Sequence, residues 1–555
     1  MLRRRLSMVA KASSWVRPGS HDYLKDIIES RVYDVALQTP LQHAPSLSGA
    51  LPGNCSLYLK REDMQPTFSF NIRGAHNKIA NLTPLQKKNG IVAIAAGNHL
   101  QPLHSIRFVG DSGVAYSAAK LGVDAIIVAP LGTLQNTQVS HSTKCQVKII
   151  EHGTDFDASL KEAFRIAQTE GRSLVHPYDD PLVIAGNGTI GMEILKETSG
   201  QWPDAIFTPV GGGGLISGLA AFVKEVAPSV KIIGVETEGA NILQESLKWG
   251  ERVTFSNVNR FTEEVGIKTI GEENFRLCKK FVDDVVTVTT DEICSAIKDV
   301  FGDTRSLMEP TGAISVAGAK KYARMHNAKN EKYVAVLAAA NMDFDRLRFV
   351  TERSDDRERF MSVNIPELQG SFQRLYNDLE GFVSIVLLTK FVCELVDPRN
   401  VTEFTYRMSS QKDKTARIWM SIQTKSEDEF LEVVNSINAQ DGMHATDVAS
   451  NELAKSHLRH LAGGRAGDVP NERLFRLEFP ERPGALKDFL DTLGSTAQWN
   501  VSLFHYRNHG ADIGRVLVAF QVPAQEDAVF SDFLQKLGFR FVEETSNPAY
   551  TQFLM

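Results

Sequence analysis

Four consecutive glycines form the segment of this sequence whose residue type and spacing are best suited to chemistry. They are Gly211, Gly212, Gly213 and Gly214, which follow a short apolar run at residues 205–210 and precede a helical pattern at residues 215–226. Glycines leave backbone N–H groups open to an anion, and a helix N-terminus adds partial positive charge. The sequence therefore predicts a phosphate cradle, with a tight strand-to-helix turn that binds nothing as the alternative.

The glycine run lacks the spacing of the common nucleotide-binding loops. Read from Gly212, the dinucleotide fingerprint G-x-G-x-x-G meets Ser217 where glycine is required, and no Gly-Lys-Ser/Thr follows the run. Glu236 does lie where a dehydrogenase would place an acidic residue for the ribose. A dehydrogenase is therefore possible on this one residue but is disfavoured by the missing glycine.

Several further segments, in the same order along the chain, resemble the signature motifs of fold-type II pyridoxal-phosphate enzymes. They are KREDMQPTFSFNIRGA at residues 60–75, AGNH at 96–99, HPYDDPLVIAGNGT at 176–189, EPTGA at 309–313 and residues 341–348. The glycine run is similar to the phosphate loop of that family. With the duplicated tail described below, the pattern resembles the biosynthetic threonine dehydratases from about residue 20 to residue 555. The resemblance implies a pyridoxal 5'-phosphate cofactor and conversion of L-threonine, or a related amino acid, to 2-oxobutanoate and ammonia in isoleucine biosynthesis.

The resemblance also assigns roles to individual residues. It places the cofactor against Phe70, Asn98, the four glycines and Ala338, which stands at the family's serine position below the ring nitrogen. It places the substrate against Ser69, Ala96, Gly97 and His99. No metal site is expected.

The catalytic position departs from the family pattern. Asn71 stands where the family has the lysine that forms the Schiff base and then acts as the base. An amide neither forms an imine nor accepts a proton near neutral pH. Ala338 lacks the hydroxyl of the family's serine, and Ala339 replaces the following glycine. We therefore expect a threonine dehydratase homologue with impaired or altered activity and no covalent cofactor link; the alternative is an inactive regulatory homologue that binds the cofactor or an amino acid.

Two loops near the motifs also differ from the family. Thirteen residues, Leu100–Ser112, precede Gly113 where the family has two, and residues 133–137 replace a T-P-x-I-K helix start. The neighbouring lysines Lys60 and Lys78 are interpreted as structural residues, one at the end of a strand and one on the following helix, because a replacement Schiff base requires close positioning.

The elements that must position these residues alternate along the chain. Strands are predicted at residues 125–129, 147–150, 205–210, 231–235 and 333–337, with helices such as 159–170 between them. This alternation is typical of an α/β fold with a parallel sheet covered on both faces. The resemblance specifies a two-subdomain fold-type II core at residues 21–345, followed by a linker at 346–357 and two α+β ACT-like modules.

An internal repeat supports the two modules. Pro366 and Pro480, like Gly370 and Gly484, are 114 residues apart, and VTEFTYR at 401–407 matches VSLFHYR at 501–507. We expect modules at 358–450 and 472–550: either a ligand-free duplication or a sensor pair, which by the resemblance would bind isoleucine or valine in a homotetramer. Residues 381–397 interrupt the first copy; they are too short to span a bilayer and are either an extended helix or translated non-coding sequence.

Composition narrows the remaining classes of function. The 555 residues carry a net charge of −6, which argues against a nucleic-acid partner. Five cysteines without a CxxC pair indicate neither a zinc site nor a disulfide framework. Residues 1–20 are rich in arginine and serine and lack acidic residues, which indicates either an organelle transit peptide or a basic, unstructured start. We therefore expect a mitochondrial location, or otherwise a cytoplasmic one, and no membrane association.

Overall fold

The structure, a computed structural model, describes residues 21–94, 113–131, 147–153, 156–255, 267–342, 346–354, 357–366, 375, 401–407, 415–424, 426–451, 469–480, 499–507, 513–547 and 550. The chain divides into two units, residues 1–355 and 356–555. Each unit has its own sheets and its own buried core.

The larger sheet of the first unit has six strands in the order β1-β2-β10-β7-β8-β9. They are β1 (Leu41–His43), β2 (Ser56–Arg61), β7 (Ala205–Pro209), β8 (Lys231–Thr237), β9 (Asp284–Val288) and β10 (Lys332–Leu337). Only β1 runs antiparallel to its neighbour. β7 and β10 are almost wholly apolar and buried, as strands covered by helices on both faces must be.

A smaller, fully parallel sheet has the order β5-β4-β3-β6. Its strands are β3 (Ile91–Ile94), β4 (Ala125–Ala129), β5 (Val147–Glu151) and β6 (Ser173–Val175). The two parallel sheets confirm the expected α/β core, and each of the five predicted strands is found within two residues of its predicted ends.

Helices alternate with these strands. They are α1 (Tyr23–Ile28), α2 (Pro45–Ala50), α3 (Asn71–Ala80), α4 (Pro84–Asn89), α5 (Gly113–Leu121), α6 (Phe156–Glu170), α7 (Pro181–Glu197), α8 (Gly214–Val226), α9 (Ile242–Trp249), α10 (Glu272–Phe281), α11 (Thr290–Thr304), α12 (Pro310–Met325) and α13 (Leu347–Arg353). The start of α7 follows the capping rules: the Asp180 side chain accepts the backbone N–H groups of Leu182 and Val183, and Pro181 stands at the first helical position. Two apolar cores, one on each face of the larger sheet, hold these elements together.

The second unit contains one antiparallel sheet of eight strands, in the order β14-β11-β13-β12-β16-β17-β15-β18. They are β11 (Glu358–Pro366), β12 (Val401–Arg407), β13 (Thr415–Gln423), β14 (His444–Asp447), β15 (Glu472–Pro480), β16 (Asn500–Arg507), β17 (Ile513–Gln521) and β18 (Arg540–Glu543). Helices α14 (Glu427–Asn438) and α15 (Asp527–Leu537) pack on one face.

The two repeats have the same strand order on either side of a central β12·β16 pair. The equivalent residues Thr405 and His505 lie directly opposite each other, so the pseudo-twofold axis that relates the repeats passes between them. Both repeats also have an irregularity at the same place, at Val401/Glu403 in one and Val501/Leu503 in the other. The two repeats therefore agree not only in their sequence motifs but also in the hydrogen-bonded register of their strands.

Some sequence predictions concern segments that the structure describes only in part or not at all. The expected linker at 346–357 contains helix α13, whose Arg353 forms an ion pair with Asp291 at 3.1 Å. Residues 1–20, 95–112, 133–137 and 381–397 lie outside the described residues, so the predictions made on them stay predictions. In the described part of the chain, no helix is long and apolar enough to cross a membrane, and no group of acidic, histidine and cysteine side chains is arranged to hold a metal ion.

Candidate active site

The glycine run turns the chain from β7 into α8, as predicted. Gly213 has a left-handed backbone, with φ of +94°, and serves as the N-cap of α8 without a side-chain cap. The N–H groups of Gly211, Gly212 and Gly213 donate to no atom of the described residues. An uncapped helix start with open N–H groups is the arrangement that binds a phosphate group.

Tyr178 forms the wall against which the glycines pack. A Cβ atom at residue 212 would lie 2.2 Å from Tyr178 Cγ, and one at residue 214 would lie 2.9 Å from the Tyr178 carbonyl oxygen. Burial raises the pKa of Tyr178 above its usual range, so the phenol stays protonated. Its ring also stacks on Phe156 with centroids 6.3 Å apart. The turn therefore has no room for any side chain at residues 212 and 214.

The start of helix α10 secures the other side of the turn. The Gly212 carbonyl oxygen accepts hydrogen bonds from the backbone N–H of Gly271 at 3.2 Å and from Asn274 Nδ2 at 2.9 Å. The Asp179 carboxylate accepts the backbone N–H groups of Glu272, Glu273 and Asn274. Asp179 follows Tyr178 directly in the sequence. One short segment therefore both packs against the glycine turn, through Tyr178, and stabilises the start of α10, through Asp179.

Asn71 is the first residue of α3, and its side chain is exposed. Its backbone N–H donates to Ser69 Oγ at 3.3 Å, so the buried Ser69 hydroxyl supports the start of the helix. Gly113 lies against the same helix start, since a Cβ there would come within 2.6 Å of Ile72 Cα. Residue 71 thus stands at a fixed backbone position with an open side-chain position, as a Schiff-base residue would require.

The end of β10 holds the segment that precedes residue 71. Phe70 donates its N–H to the carbonyl oxygen of Ala338 at 3.0 Å, and Ala340 donates to the Phe68 carbonyl at 2.9 Å. Ala338 is fully buried in the apolar cluster against which Phe70 and Tyr178 pack. The structure therefore brings Ser69, Phe70, Asn71 and Ala338 together.

Both neighbouring lysines are engaged elsewhere. Lys60 is fully buried, and its Nζ lies 2.8 Å from carboxylate oxygens of Glu193 and Glu197. Lys78 Nζ lies 2.7 Å from Asp180. The structural interpretation of both lysines agrees with these contacts, and neither amine is available for a cofactor.

Glu193 is a residue that the motif analysis missed. With Glu62 it surrounds the fully buried Arg73: Glu62 lies 2.7 Å from Arg73 Nε and Glu193 lies 2.6 Å from Nη1. Burial by itself raises the pKa of Glu62, but the guanidinium of Arg73 lowers it below its ordinary value, so the carboxyl stays ionised. Arg73 is two residues from position 71, and this buried cluster fixes the first turn of α3. Glu193 lies four residues after the motif at 176–189, where no spacing rule pointed to it.

Asn98, Ala96, Gly97 and His99, expected at the cofactor and the substrate, lie outside the described residues and remain expectations. The described residues fit the phosphate end of pyridoxal phosphate, because the glycine turn is open, uncapped and closely packed against Tyr178. They do not fit its covalent attachment, because residue 71 is an amide and Lys60 and Lys78 are ion-paired.

Comparison with known proteins agrees with this geometry. Residues 32–339 match the family of pyridoxal-phosphate dependent enzymes, and residues 387–458 and 463–554 match the C-terminal regulatory domain of threonine dehydratase. The biosynthetic L-threonine dehydratase of Burkholderia multivorans is 45% identical over 541 residues, which cover 96% of this chain and 99% of that protein. The chain belongs to the threonine dehydratase family.

Two further threonine dehydratase relatives show how far the likeness extends. The mitochondrial threonine dehydratase of Schizosaccharomyces pombe is 44% identical, over 97% of this chain and 84% of that protein. Among solved structures, the processed form of threonine deaminase isoform 2 from Solanum lycopersicum is 39% identical with a TM-score of 0.54, over 61% of this chain and 93% of that chain. The likeness thus includes both the pyridoxal-phosphate core and the regulatory domain.

The dehydrogenase alternative finds no support at Glu236. Its carboxylate accepts the backbone N–H groups of Leu243 at 2.8 Å and Gln244 at 2.9 Å, which places it at the start of α9. A residue occupied in this way stabilises a helix start and is not presented to a ribose.

Proposed function

We propose that this threonine dehydratase homologue binds pyridoxal phosphate without a covalent link and acts on L-threonine, or a related amino acid, with strongly impaired activity. The observation that carries the proposal is the pairing of an intact glycine cradle with Asn71 at the first position of α3. The glycine cradle would retain the phosphate group of the cofactor, whereas Asn71 has no amine to which the cofactor could be covalently attached.

The retained residues account for binding. The N–H groups of Gly211, Gly212 and Gly213, with the start of α8, would hold the phosphate, and Phe70 and Ala338 would line the ring. When bound, the cofactor supplies an electron sink for the α-carbon of an amino acid. The glycines proposed to hold the phosphate group all lie within the described part of the chain.

The missing residue accounts for the impairment. In the family the lysine anchors the cofactor and moves the α-proton, and these two functions both need a titratable amine. Asn71 supplies none, and no hydroxyl at residue 338 contacts the ring nitrogen. Loss of a positioned base alone typically lowers a rate by 10²–10⁴-fold.

Borohydride reduction followed by peptide mass mapping tests the absence of the covalent link. We expect the purified protein, incubated with pyridoxal phosphate and reduced, to yield no pyridoxyl-lysine peptide. Asn71→Lys, treated in the same way, is expected to carry the label on residue 71. A pyridoxyl group on any lysine of the unaltered chain would refute the proposal.

A second candidate is a regulatory homologue without catalytic turnover. It is favoured by the regulatory unit, in which both repeats retain the same strand order and the same β-bulge. Under this reading the chain binds isoleucine or valine and assembles with other subunits as a homo-oligomer. Complete absence of threonine-dependent 2-oxobutanoate release from a protein that binds the cofactor would favour it over impaired catalysis.

A mitochondrial location is part of the proposal. Relatives from Schizosaccharomyces pombe and Saccharomyces cerevisiae are named mitochondrial, and residues 1–20 have the arginine-rich, acid-poor composition of a transit peptide. Fractionation of cells that express the full chain, compared with a chain lacking residues 1–20, tests it.

A further inference from the structure

Asn274 connects three segments around the glycine turn. It is the third residue of α10 and is fully buried. Its Nδ2 donates hydrogen bonds to the carbonyl oxygens of Gly212 at 2.9 Å and Tyr178 at 3.0 Å. Its own backbone carbonyl oxygen accepts the hydroxyl of Ser217, in the first turn of α8, at 3.2 Å. One residue therefore bonds to the turn, to the wall behind the turn and to the helix that follows it.

The side chain of Asn274 is engaged through its amide nitrogen alone. A primary amide has two N–H donors, and here each of them meets a backbone carbonyl oxygen. The amide oxygen Oδ1 is buried and has no hydrogen-bond partner in the described part of the chain. A buried acceptor without a partner lowers stability. The two donors are therefore the part of this side chain that the turn uses.

The bond from Asn274 fixes the orientation of the peptide plane between Gly212 and Gly213. Peptide bonds in the described segments are trans, and in a trans peptide the C=O and N–H groups point in opposite directions. Asn274 and the N–H of Gly271 hold the Gly212 carbonyl oxygen towards α10. The N–H of Gly213 consequently points away from α10, where no described residue accepts it.

This peptide plane needs a restraint from outside the turn. Side chains at residues 212 and 213 are excluded, since a Cβ there would lie 2.2 Å from Tyr178 Cγ and 2.8 Å from Asn274 Cβ, respectively. Glycine, however, adopts many backbone conformations at low cost, so the plane would rotate easily by itself. A rotated plane would turn the Gly212 carbonyl oxygen, which carries partial negative charge, towards a bound anion. Loss of the restraint should therefore weaken anion binding in particular.

We propose that Asn274 is a positioning residue for the phosphate cradle, which keeps the Gly213 N–H directed at the phosphate group of the cofactor. It thereby sets the preference of the site for pyridoxal phosphate over pyridoxal, which has no phosphate group. The inference rests on the proposed function, because it assumes that the cofactor phosphate lies at the glycine turn. Asn274 acts through the backbone of the turn and does not itself contact the cofactor.

Equilibrium dialysis with pyridoxal phosphate, and separately with pyridoxal, measures this preference as the ratio of two Kd values. Asn274→Leu is similar in size and removes both donors, and Asn274→Met is a second donor-free variant with a different shape. We expect each variant to raise the Kd of pyridoxal phosphate by roughly tenfold, because a hydrogen bond and the orientation that it fixes are lost. The Kd of pyridoxal should change little.

Leu277→Ala is the matched control on the same helix. Leu277 is fully buried in the apolar cluster under α10, one turn after Asn274. Its truncation loosens the packing of α10 and lowers the Tm, but it removes no hydrogen bond to the glycine turn. A general loosening should weaken the binding of both ligands in the same proportion. We therefore expect the ratio of the two Kd values to stay unchanged in this control.

The same measurements on chains that also carry Asn71→Lys separate the inference from the proposed function. If the unaltered chain binds no pyridoxal phosphate, the proposed function is wrong. The ratio measured with Asn71→Lys, where a lysine is present to hold the cofactor, still decides the role of Asn274.

Three outcomes would overturn the role of Asn274. The first is an unchanged Kd ratio in both Asn274 variants, in whichever chain binds the cofactor; the proposed function would survive this result. The second is unfolding of both variants, seen as loss of the melting transition, which would make Asn274 a residue of the fold alone. The third is an equal Kd for pyridoxal phosphate and pyridoxal before any change at residue 274, which would show that the turn holds no phosphate.

Discussion

The backbone N–H of Phe70 lies 3.0 Å from the carbonyl oxygen of Ala338, to which it donates a hydrogen bond. This bond joins the two positions at which the sequence departs most sharply from its family, since Asn71 follows Phe70 and Ala338 stands at the serine position. The missing lysine amine at residue 71 and the missing serine hydroxyl at residue 338 therefore both lie next to one contact, between the start of α3 and the end of β10. Changes at the two positions should act on the same site.

Restoring both side chains tests how far the rest of the site is competent. We expect Asn71→Lys with Ala338→Ser to gain threonine-dependent release of 2-oxobutanoate, with the lysine supplying nearly all of it. The serine adds a hydrogen bond of roughly 1 kcal/mol, whereas the lysine restores an anchor and a base. Asn71→Met, similar in length but without an amine, is the control and should gain nothing. If the double variant binds the cofactor but remains inactive even when residues 100–112 are also deleted, Asn71 is not the principal defect.

Gly212→Ala tests the phosphate cradle. The added Cβ would lie 2.2 Å from Tyr178 Cγ, so either the turn or the ring must move. We expect cofactor affinity, measured by equilibrium dialysis, to fall at least tenfold, with a lower Tm. Gly302→Ala, in α11 with nothing within 4 Å of the added atom, is the matched control. It should retain affinity and gain about 0.5–1 kcal/mol of stability. Unchanged affinity in Gly212→Ala would mean that the turn does not hold the phosphate.

The buried ion cluster around Arg73 should be sensitive to the loss of one carboxylate. Glu193→Gln leaves the fully buried Arg73 and Lys60 with one negative partner fewer, and breaking such a cluster costs about 3–5 kcal/mol. We expect a clear fall in the Tm measured by calorimetry. Arg165→Gln, which breaks an exposed pair with Glu162, should leave the Tm unchanged. Equal melting of the two variants would show that the cluster is not needed for stability.

Glu236 should make stability depend on pH. Burial raises the pKa of this carboxyl to about 8, although backbone N–H groups of α9 oppose the shift. The folded state therefore favours the protonated form: its contribution to stability is complete below about pH 4.5 and is lost as the pH rises to about 8. We expect the Tm of the unaltered chain to fall between about pH 5 and pH 8 relative to that of Glu236→Gln. A constant difference between the two proteins over this range would contradict the raised pKa.

Local patterns were sufficient to predict much of the core. The run at residues 125–129 is continuous, apolar and short, and it forms β4 with those bounds because both faces of the strand are buried. The glycine run was predicted to precede a helix and does so: Gly213 is the N-cap of α8, with a positive φ that a glycine adopts without strain. Such features depend on a few neighbouring residues, which a sequence displays directly.

Features that depend on distant residues could not be predicted. Glu193 accepts a hydrogen bond from Arg73, which is 120 residues away in the sequence. Its place in the pattern of α7 is that of an ordinary buried helix position, so the sequence gives no sign of this contact. The partnership of Tyr178 with the glycine turn likewise requires the packing of two loops. The short edge strand β1 contains His43 and Gln42 and has no apolar alternation to reveal it. Residues 347–353, within the predicted linker, form α13, and tertiary contacts such as the ion pair between Arg353 and Asp291 support this charged helix.

The central β12·β16 pair has a consequence for synthesis of the chain. β12 ends at Arg407, and the strand β16 that pairs with it ends at Arg507. The ribosome must therefore add one hundred further residues after β12 before this strand pair is complete. At about 5–20 residues per second, the edge of β12 stays unpaired for on the order of 5–20 s. An open strand edge is a site for wrong pairing between nascent chains. The interval before β16 emerges is therefore the period in which chaperone protection matters most for this half of the protein.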